Sequence, residues 1–159
     1  MMQDQEVRRV ISVIVANEAS ALSRISGLFS ARGYNVLSLT VAPIPDSDYS
    51  RLTIVTVGSV RVIEQITKQL HKLIPVLRVT DSQEMIEKEM VLVKFPITED
   101  LSNISALSNA YNGKIVNVGI DTIIVMIADE PNRVEHFLTA IKRFHPIEIV
   151  RGGTVAVER

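Results

Sequence analysis

One order of hydrophobic spacings, written twice along the chain, constrains the fold more than any other feature. Val7 to Ala16 (VRRVISVIVA) is a β-branched run of strand length. From Ala19 to Arg32 the spacing becomes helical, with Leu22, Ile25, Leu28 and Phe29 on one side and Arg24 and Arg32 on the polar side. Gly33 then offers a left-handed helix stop. Asn35 to Ala42 alternates Leu37, Leu39 and Val41 against Ser38 and Thr40, as a half-buried strand does. Pro43, Pro45 and Asp46 to Asp48 mark a turn, and Arg51 to Val57 is a third strand. Val60 to Leu73 carries Ile63, Ile66, Leu70 and Leu73 on one helical stripe; Pro75 breaks it before a strand over Val76 to Thr80.

The same order returns after a polar stretch, DSQEMIEKE (81–89), whose composition predicts a helical connector. Met90 to Phe95 is a strand. Asp100 to Asn112 is a helix bearing Leu101, Ile104, Leu107 and Tyr111, with Gly113 as its expected stop. Lys114 to Val118 and Thr122 to Ala128 are strands. Pro131, favoured in the first helical turn, opens a helix with Val134, Phe137, Leu138, Ile141 and Phe144 on its apolar side. Ile147 to Val150 is a strand, Gly152-Gly153 a turn, and Thr154 to Val157 an added edge strand.

Two βαββαβ units predict an α+β protein of two tandem ferredoxin-like sandwiches, each with two helices on one face of a four-stranded antiparallel sheet. The expected division is 1–80, a connector at 81–89, and 90–159. Composition fits: 19 isoleucines and 21 valines favour buried strand. Val10, Ile14, Val36, Val55 and Val57 cannot all face the same two helices, so the other sheet face must also be covered. Pairing of domains or subunits is the simplest cover.

Several function classes fall away on composition. With no cysteine, a disulfide scaffold, thiolate metal sites and thiol nucleophiles are excluded. A net charge of −1 excludes a globally basic nucleic-acid binder. Aromatics are 4% of the chain, and the strands lack the stacking residues with which ferredoxin-like RNA-binding modules read bases. The opening MMQDQEVRR lacks the apolar stretch and small-residue cleavage site of a secretory leader, and no apolar window approaches the ~18 residues of a membrane span. A cytoplasmic protein is expected.

No catalytic constellation emerges. His71, His136 and His145 fall on or just after helices without metal-ligand spacing, and read as structural. Asp46, Asp48 and Tyr49 read as a solvated turn. Neither GxSxG, GxGxxG nor a P-loop occurs. What remains is the loop NEASAL (Asn17 to Leu22) between the first strand and helix. Asn17 and Ser20 are both capable N-caps. Equally, open N–H groups at a helix start suit a carboxylate, and an asparagine both donates and accepts. Capping and small-molecule binding stand level on these residues, with Asn35 opening the next strand.

At this loop the chain resembles a known family. RRVISVIVANEASALSRISGLFSARGYNVLSLTVAP (8–43) is similar to the N-terminal ACT domain of the regulatory small subunit of acetohydroxyacid synthase (acetolactate synthase). SRLTIVTVG (50–58), IEQITKQLHKLIPVLRV (63–79) and MVLVKF (90–95) continue the likeness, and the second half resembles that family's C-terminal domain less distinctively. The resemblance implies a non-catalytic subunit with no cofactor of its own. The large subunit would carry thiamine diphosphate, FAD and magnesium, and the small one would activate it and confer feedback inhibition by valine or another branched-chain amino acid. It further implies a homodimer through the ACT domains. Asn17, Ser20, Ala21 and Leu22 of one chain, with Asn35 and Val36 of its partner, would form the effector pocket. Arg24, Arg32 and Arg51 are candidate charged contacts to the large subunit.

The family's N-x-x-G-x-L motif has Ser20 here in place of glycine. A side chain at that point narrows the pocket or adds a hydrogen bond, so valine inhibition and activation are separable expectations. Two other readings stay open from sequence: a stand-alone ACT-type amino-acid sensor, and a small metal-dependent enzyme built on Asp46, Asp48 or the histidines.

Overall fold

The computed structural model describes residues 5–159; the first four residues of the opening MMQDQEVRR run lie outside it. The elements are β1 (Glu6–Ala16), α1 (Ala21–Arg32), β2 (Asn35–Pro43), β3 (Tyr49–Ser59), α2 (Val60–His71) and β4 (Val76–Thr80), then β5 (Met85–Pro96), α3 (Leu101–Ala110), β6 (Gly113–Val118), β7 (Thr122–Asp129), α4 (Pro131–Ala140) and β8 (Glu148–Glu158). A short 3-10 segment, Ile141–Phe144, extends α4. The strands make two four-stranded sheets of order β2-β3-β1-β4 and β6-β7-β5-β8, the doubled βαββαβ sandwich that the spacing predicts.

The chain clusters into two compact units, one reaching to Ile86 and regaining Ala156–Arg159, the other spanning Glu87–Val155. In the first, Ile11, Val13 and Val15 of β1 and Leu52 and Ile54 of β3 pack against Ile25 and Phe29 of α1 and Ile63, Ile66 and Leu70 of α2. Each such side chain contributes about 1.5–3 kcal/mol by leaving water. Val10 lies opposite Val55 in the ladder and so turns to the other face, yet both are buried, at 4% and 1% exposure. In the second unit Val91, Val93 and Phe95, with Ile123, Val125 and Ile127, pack against Ile104, Val134 and Phe137. Among the described residues no helix is long and apolar enough to cross a membrane.

Gly33 closes α1 as expected, left-handed at φ 64, its N–H donating to the Phe29 and Ser30 carbonyls. Three local expectations are corrected. Residues 85–89 are strand, not helix, because Glu89 pairs with Asp129 and Met90 with Ala128 in the β5–β7 ladder. Gly113 does not stop α3. Asn112 takes the left-handed turn at φ 56, and Gly113 begins β6, where a Cβ would collide with Ile127 and the Met126 carbonyl. Gly152-Gly153 is no turn either: β8 runs unbroken through it, with Gly153 at φ 77.

Candidate functional site

β1 delivers the chain into the NEASAL loop at one end of the first sheet. The Asn17 N–H donates to the Asp48 carbonyl (2.9 Å), tying the loop to the β2–β3 turn, and the Ala16 N–H donates to the Pro75 carbonyl (2.8 Å). The Asn17 side chain faces Ser50, whose Oγ donates to Asn17 Oδ1 at 3.4 Å. Ser20 occupies the N-cap position with nearly helical dihedrals (φ −86, ψ −12), and its side chain caps nothing. No acidic residue stands in the first turn. The Ala21 N–H donates to the Glu18 carbonyl (3.2 Å), but the amides after it at the start of α1 lack a side-chain acceptor, as does the Pro131 start of α4, where α2 has Ser59 Oγ on the Val62 N–H and α3 has Asp100 Oδ1 on the Asn103 N–H. Ala21 is buried beneath this start and Leu22 forms its rim at 39% exposure.

Asn35 and Val36 lie elsewhere. Asn35 pairs with Val57, whereas the loop follows Ala16, which pairs with Tyr49. At ~3.4 Å per residue that separation along β3 is ~27 Å. Within one chain, then, the expected site residues divide between the two ends of the sheet. The Asn35 carbonyl accepts from Thr56 Oγ1 (2.6 Å) and its side chain is exposed.

β2, which joins those two ends, is an edge strand. Its register shifts between Val36 and Ser38, leaving Leu37 out of the pairing. Leu37, Leu39 and Val41 stay exposed at 56%, 41% and 46%. Between this edge and α1 opens a cavity of about 360 Å³ lined by Ile25, Ser26, Phe29, Ser30, Tyr34, Val36, Leu39 and Ile54. Of these only Val36 is among the residues expected in the effector pocket. Ile25 and Phe29 belong to the α1 stripe that the spacing gives to the core, and Leu39 to the alternating side of β2, while Ser26, Ser30, Tyr34 and Ile54 join them only through the fold. Tyr34 is fixed by its Oη donating to Gln69 Oε1 (3.0 Å) and by an edge-on contact with Phe29 at 5.8 Å.

The second unit holds a charge cluster the sequence did not reveal. Glu89 and Asp129 are ladder partners, buried at 5% and 1%. Arg133 Nε donates to Asp129 Oδ2 (2.6 Å) and the Glu130 N–H to Oδ1 (2.8 Å), while Lys88 lies 3.8 Å away. Arg151 Nε donates to Glu89 Oε1 (2.7 Å), and Arg151 Nη2 lies 2.7 Å from Glu135 Oε1. Burial pushes the Asp129 carboxyl up, but the Arg133 and Glu130 hydrogen bonds and the Arg133 and Lys88 charges outweigh it, so its pKa lies below the ordinary carboxylate value. The Glu89 and Glu135 hydrogen bonds hold Arg151 above its usual pKa against partial burial. Both carboxylates are engaged, which suits a structural tie rather than a base. Among the described residues no group of three or more His, Asp or Glu is arranged to hold a metal. His145 Nδ1 sits 3.0 Å from Glu99 Oε1.

Two family models match the chain: one described as an AHAS small subunit-like ACT domain over residues 11–78, the other as the small subunit of acetolactate synthase over 88–159. The acetolactate synthase small subunit of Haemophilus influenzae and the isozyme 3 small subunit of Escherichia coli K12 are each 41% identical, covering 96% of this chain and 96% of theirs. The crystal structure of the acetolactate synthase small subunit from Thermotoga maritima superposes with a TM-score of 0.87 at 33% identity, covering 96% of this chain and 98% of that one.

Proposed function

The chain belongs to the acetolactate synthase small-subunit family, and from that premise we propose that it senses valine, or a related branched-chain amino acid, at a site completed by a second copy of itself. The protein is a regulatory subunit in branched-chain amino-acid biosynthesis, and catalysis resides in the large subunit with which it partners. In this reading thiamine diphosphate, FAD and magnesium belong to the large subunit, this chain activates it, and both work in the cytoplasm.

The observation that carries the effector site is the uncapped start of α1 beside an exposed apolar edge strand. A free amino acid offers the carboxylate those amides lack, and Asn17 can accept from its ammonium. Antiparallel pairing of two β2 edges about a two-fold axis would set the partner's first β2 residues beside the Pro43 end of this strand, close to the Asn17 loop. That arrangement would close the ~27 Å gap between Asn17–Leu22 and Asn35–Val36. It would also cover Leu37, Leu39 and Val41, an edge that otherwise invites unspecific strand pairing. Inhibition then follows when valine binds one state of the pair more tightly than the other. The stand-alone sensor gains no support from relatives that are themselves named small subunits.

Reconstitution with the large subunit tests this, reading acetolactate formation with and without valine. Asn17→Ala is expected to weaken valine inhibition about tenfold, the scale of one charge-assisted hydrogen bond, while activation persists. Unchanged inhibition in Asn17→Ala would remove the loop from the site. Activation without valine inhibition in the unmodified protein would mean that Ser20 obstructs it.

A further inference from the structure

On the sheet face of the first unit turned away from α1 and α2, two arginines flank one residue. Ile14 pairs with Arg51 of β3 on one side and with Arg78 of β4 on the other. Opposed residues in an antiparallel ladder share a face, so these side chains rise in a row, their backbones about 10 Å apart. In the next row on that face Ser12 pairs with Thr80. Arg51, Arg78, Ser12 and Thr80 line a cavity of about 170 Å³, closed on one side by Val157 and Glu158 near the chain's end. The Arg159 N–H, donating to the Glu84 carbonyl at 3.0 Å, holds that end in place. Among the described residues neither guanidinium has an ionic partner, and neither the Ser12 nor the Thr80 hydroxyl has a hydrogen-bond partner. The lining thus sets two cations against the single carboxylate of Glu158.

We infer that this cavity is a binding site for a small tetrahedral oxyanion of the phosphate class, held between Arg51 and Arg78 over the Ser12 and Thr80 hydroxyls. Guanidinium forks match phosphate oxygens in pairs. A planar carboxylate is satisfied by one fork, whereas donors converging from two sides and from the sheet call for the several oxygens of a tetrahedral anion. The volume is below the ~300 Å³ at which drug-sized pockets begin, so the occupant is a bare anion or the terminal group of a phosphate ester. Glu158 is a built-in competitor: its carboxylate repels the anion. The site is separate from the effector pocket, which lies on the α1 side and the β2 edge.

Calorimetric titration of the full chain at low ionic strength tests this with inorganic phosphate, glycerol 3-phosphate and acetate as probes. Saturable phosphate binding is expected, weakened tenfold or more in Arg51→Gln and in Arg78→Gln and tightened severalfold in Glu158→Gln. Glycerol 3-phosphate matching phosphate identifies the occupant as an ester's terminal group, and weaker binding identifies it as the free anion. Both arginines are exposed, so the glutamine variants are expected to fold, with circular dichroism as the check. Absence of saturable binding overturns the inference, as do unchanged affinity in the double variant and acetate binding as tightly as phosphate. Loss of large-subunit activation in that variant without phosphate binding in the unmodified chain would assign the pair to the catalytic partner, and also overturns it.

Discussion

α1 and α3 are the same helix in two copies of one topology, and their first turns are built in opposite ways. α3 receives a carboxylate from its own chain: Asp100 Oδ1 accepts from the Asn103 N–H at 3.1 Å, and Asp100 Oδ2 accepts from the Asn103 side-chain amide at 2.9 Å. α1 has Ser20 at the same point and no side-chain bond at all. A self-capped helix start is complete and has no use for a ligand anion; an uncapped one retains its partial positive charge and its free donors. The fold alone therefore does not make an effector site, and the backbone at the N-cap distinguishes the two copies: Asp100 is extended (φ −71, ψ 101) and caps, as Ser59 does for α2, whereas Ser20 is nearly helical and caps nothing. The charge chemistry divides the same way. The second unit sets its buried Glu89 and Asp129 against arginines, while the first leaves Arg51 and Arg78 without ionic partners among the described residues.

The largest effect is expected where the second unit's charges are satisfied. Arg151→Ala strands the Glu89 carboxylate beside that of Asp129, its ladder partner. Removing one partner of a fully buried pair costs about 3–5 kcal/mol. Here Arg151 keeps 43% of its side chain exposed. Solvent screening reduces the expected loss to about 2–3 kcal/mol, read from urea unfolding. Acid should weaken the same cluster. The Asp129 pKa is lowered in the fold, so its contribution is full at neutral pH and is lost as pH falls below the ordinary carboxylate value of ~3.9. Asp129→Asn should flatten that part of the stability profile. An Arg151→Ala protein as stable as the unmodified chain would mean the cluster is not the tie its geometry indicates.

Next in size is a variant that makes the two helix starts alike. Ser20→Asp gives α1 the carboxylate that α3 already has. It is expected to stabilise the helix by about 0.5 kcal/mol through a negative charge at its positive end, because the nearly helical backbone at position 20 does not present a side chain as a cap, while weakening valine binding tenfold or more, since the internal carboxylate repels the effector's own. Greater stability with valine binding intact would move the effector away from this helix start.

The legibility of these features in sequence follows their physical range. Elements set by local periodicity were readable: the two βαββαβ units, the α1 stripe, and the left-handed Gly33. The start of β5 was not, because Met85–Glu89 has the polar composition of a helix and is made strand by its partner Asp129, forty residues further along. Gly113 looked like a stop and is a packing contact with β7, which no local pattern encodes. The candidate site was half legible. Asn17 and Ser20 announce a helix start, but whether Ser20 caps it is a matter of dihedrals. That Asn17 and Asn35 fall at opposite ends of the sheet became visible only through the register. The Arg51–Ile14–Arg78 row is likewise a product of register, joining three strands.

The smallest effects isolate the caps themselves. Asp100→Ala removes a formed cap and should cost about 1 kcal/mol, within the 0.5–2 kcal/mol usual for such residues. Ser20→Ala removes a hydroxyl that bonds nothing, so its expected change is within about 0.5 kcal/mol, the scale of ordinary surface substitutions. Measured in parallel by urea unfolding, the pair turns the contrast between the helix starts into a difference in stability. If Ser20→Ala costs as much as Asp100→Ala, Ser20 is a working cap in solution and α1 is not open. An effector carboxylate would then have to displace the Ser20 hydroxyl before reaching the amides. If Ser20→Ala is silent in stability yet alters valine affinity, the hydroxyl belongs to the ligand and not to the helix. That outcome would make Ser20 a gain over the family's glycine and not an obstruction.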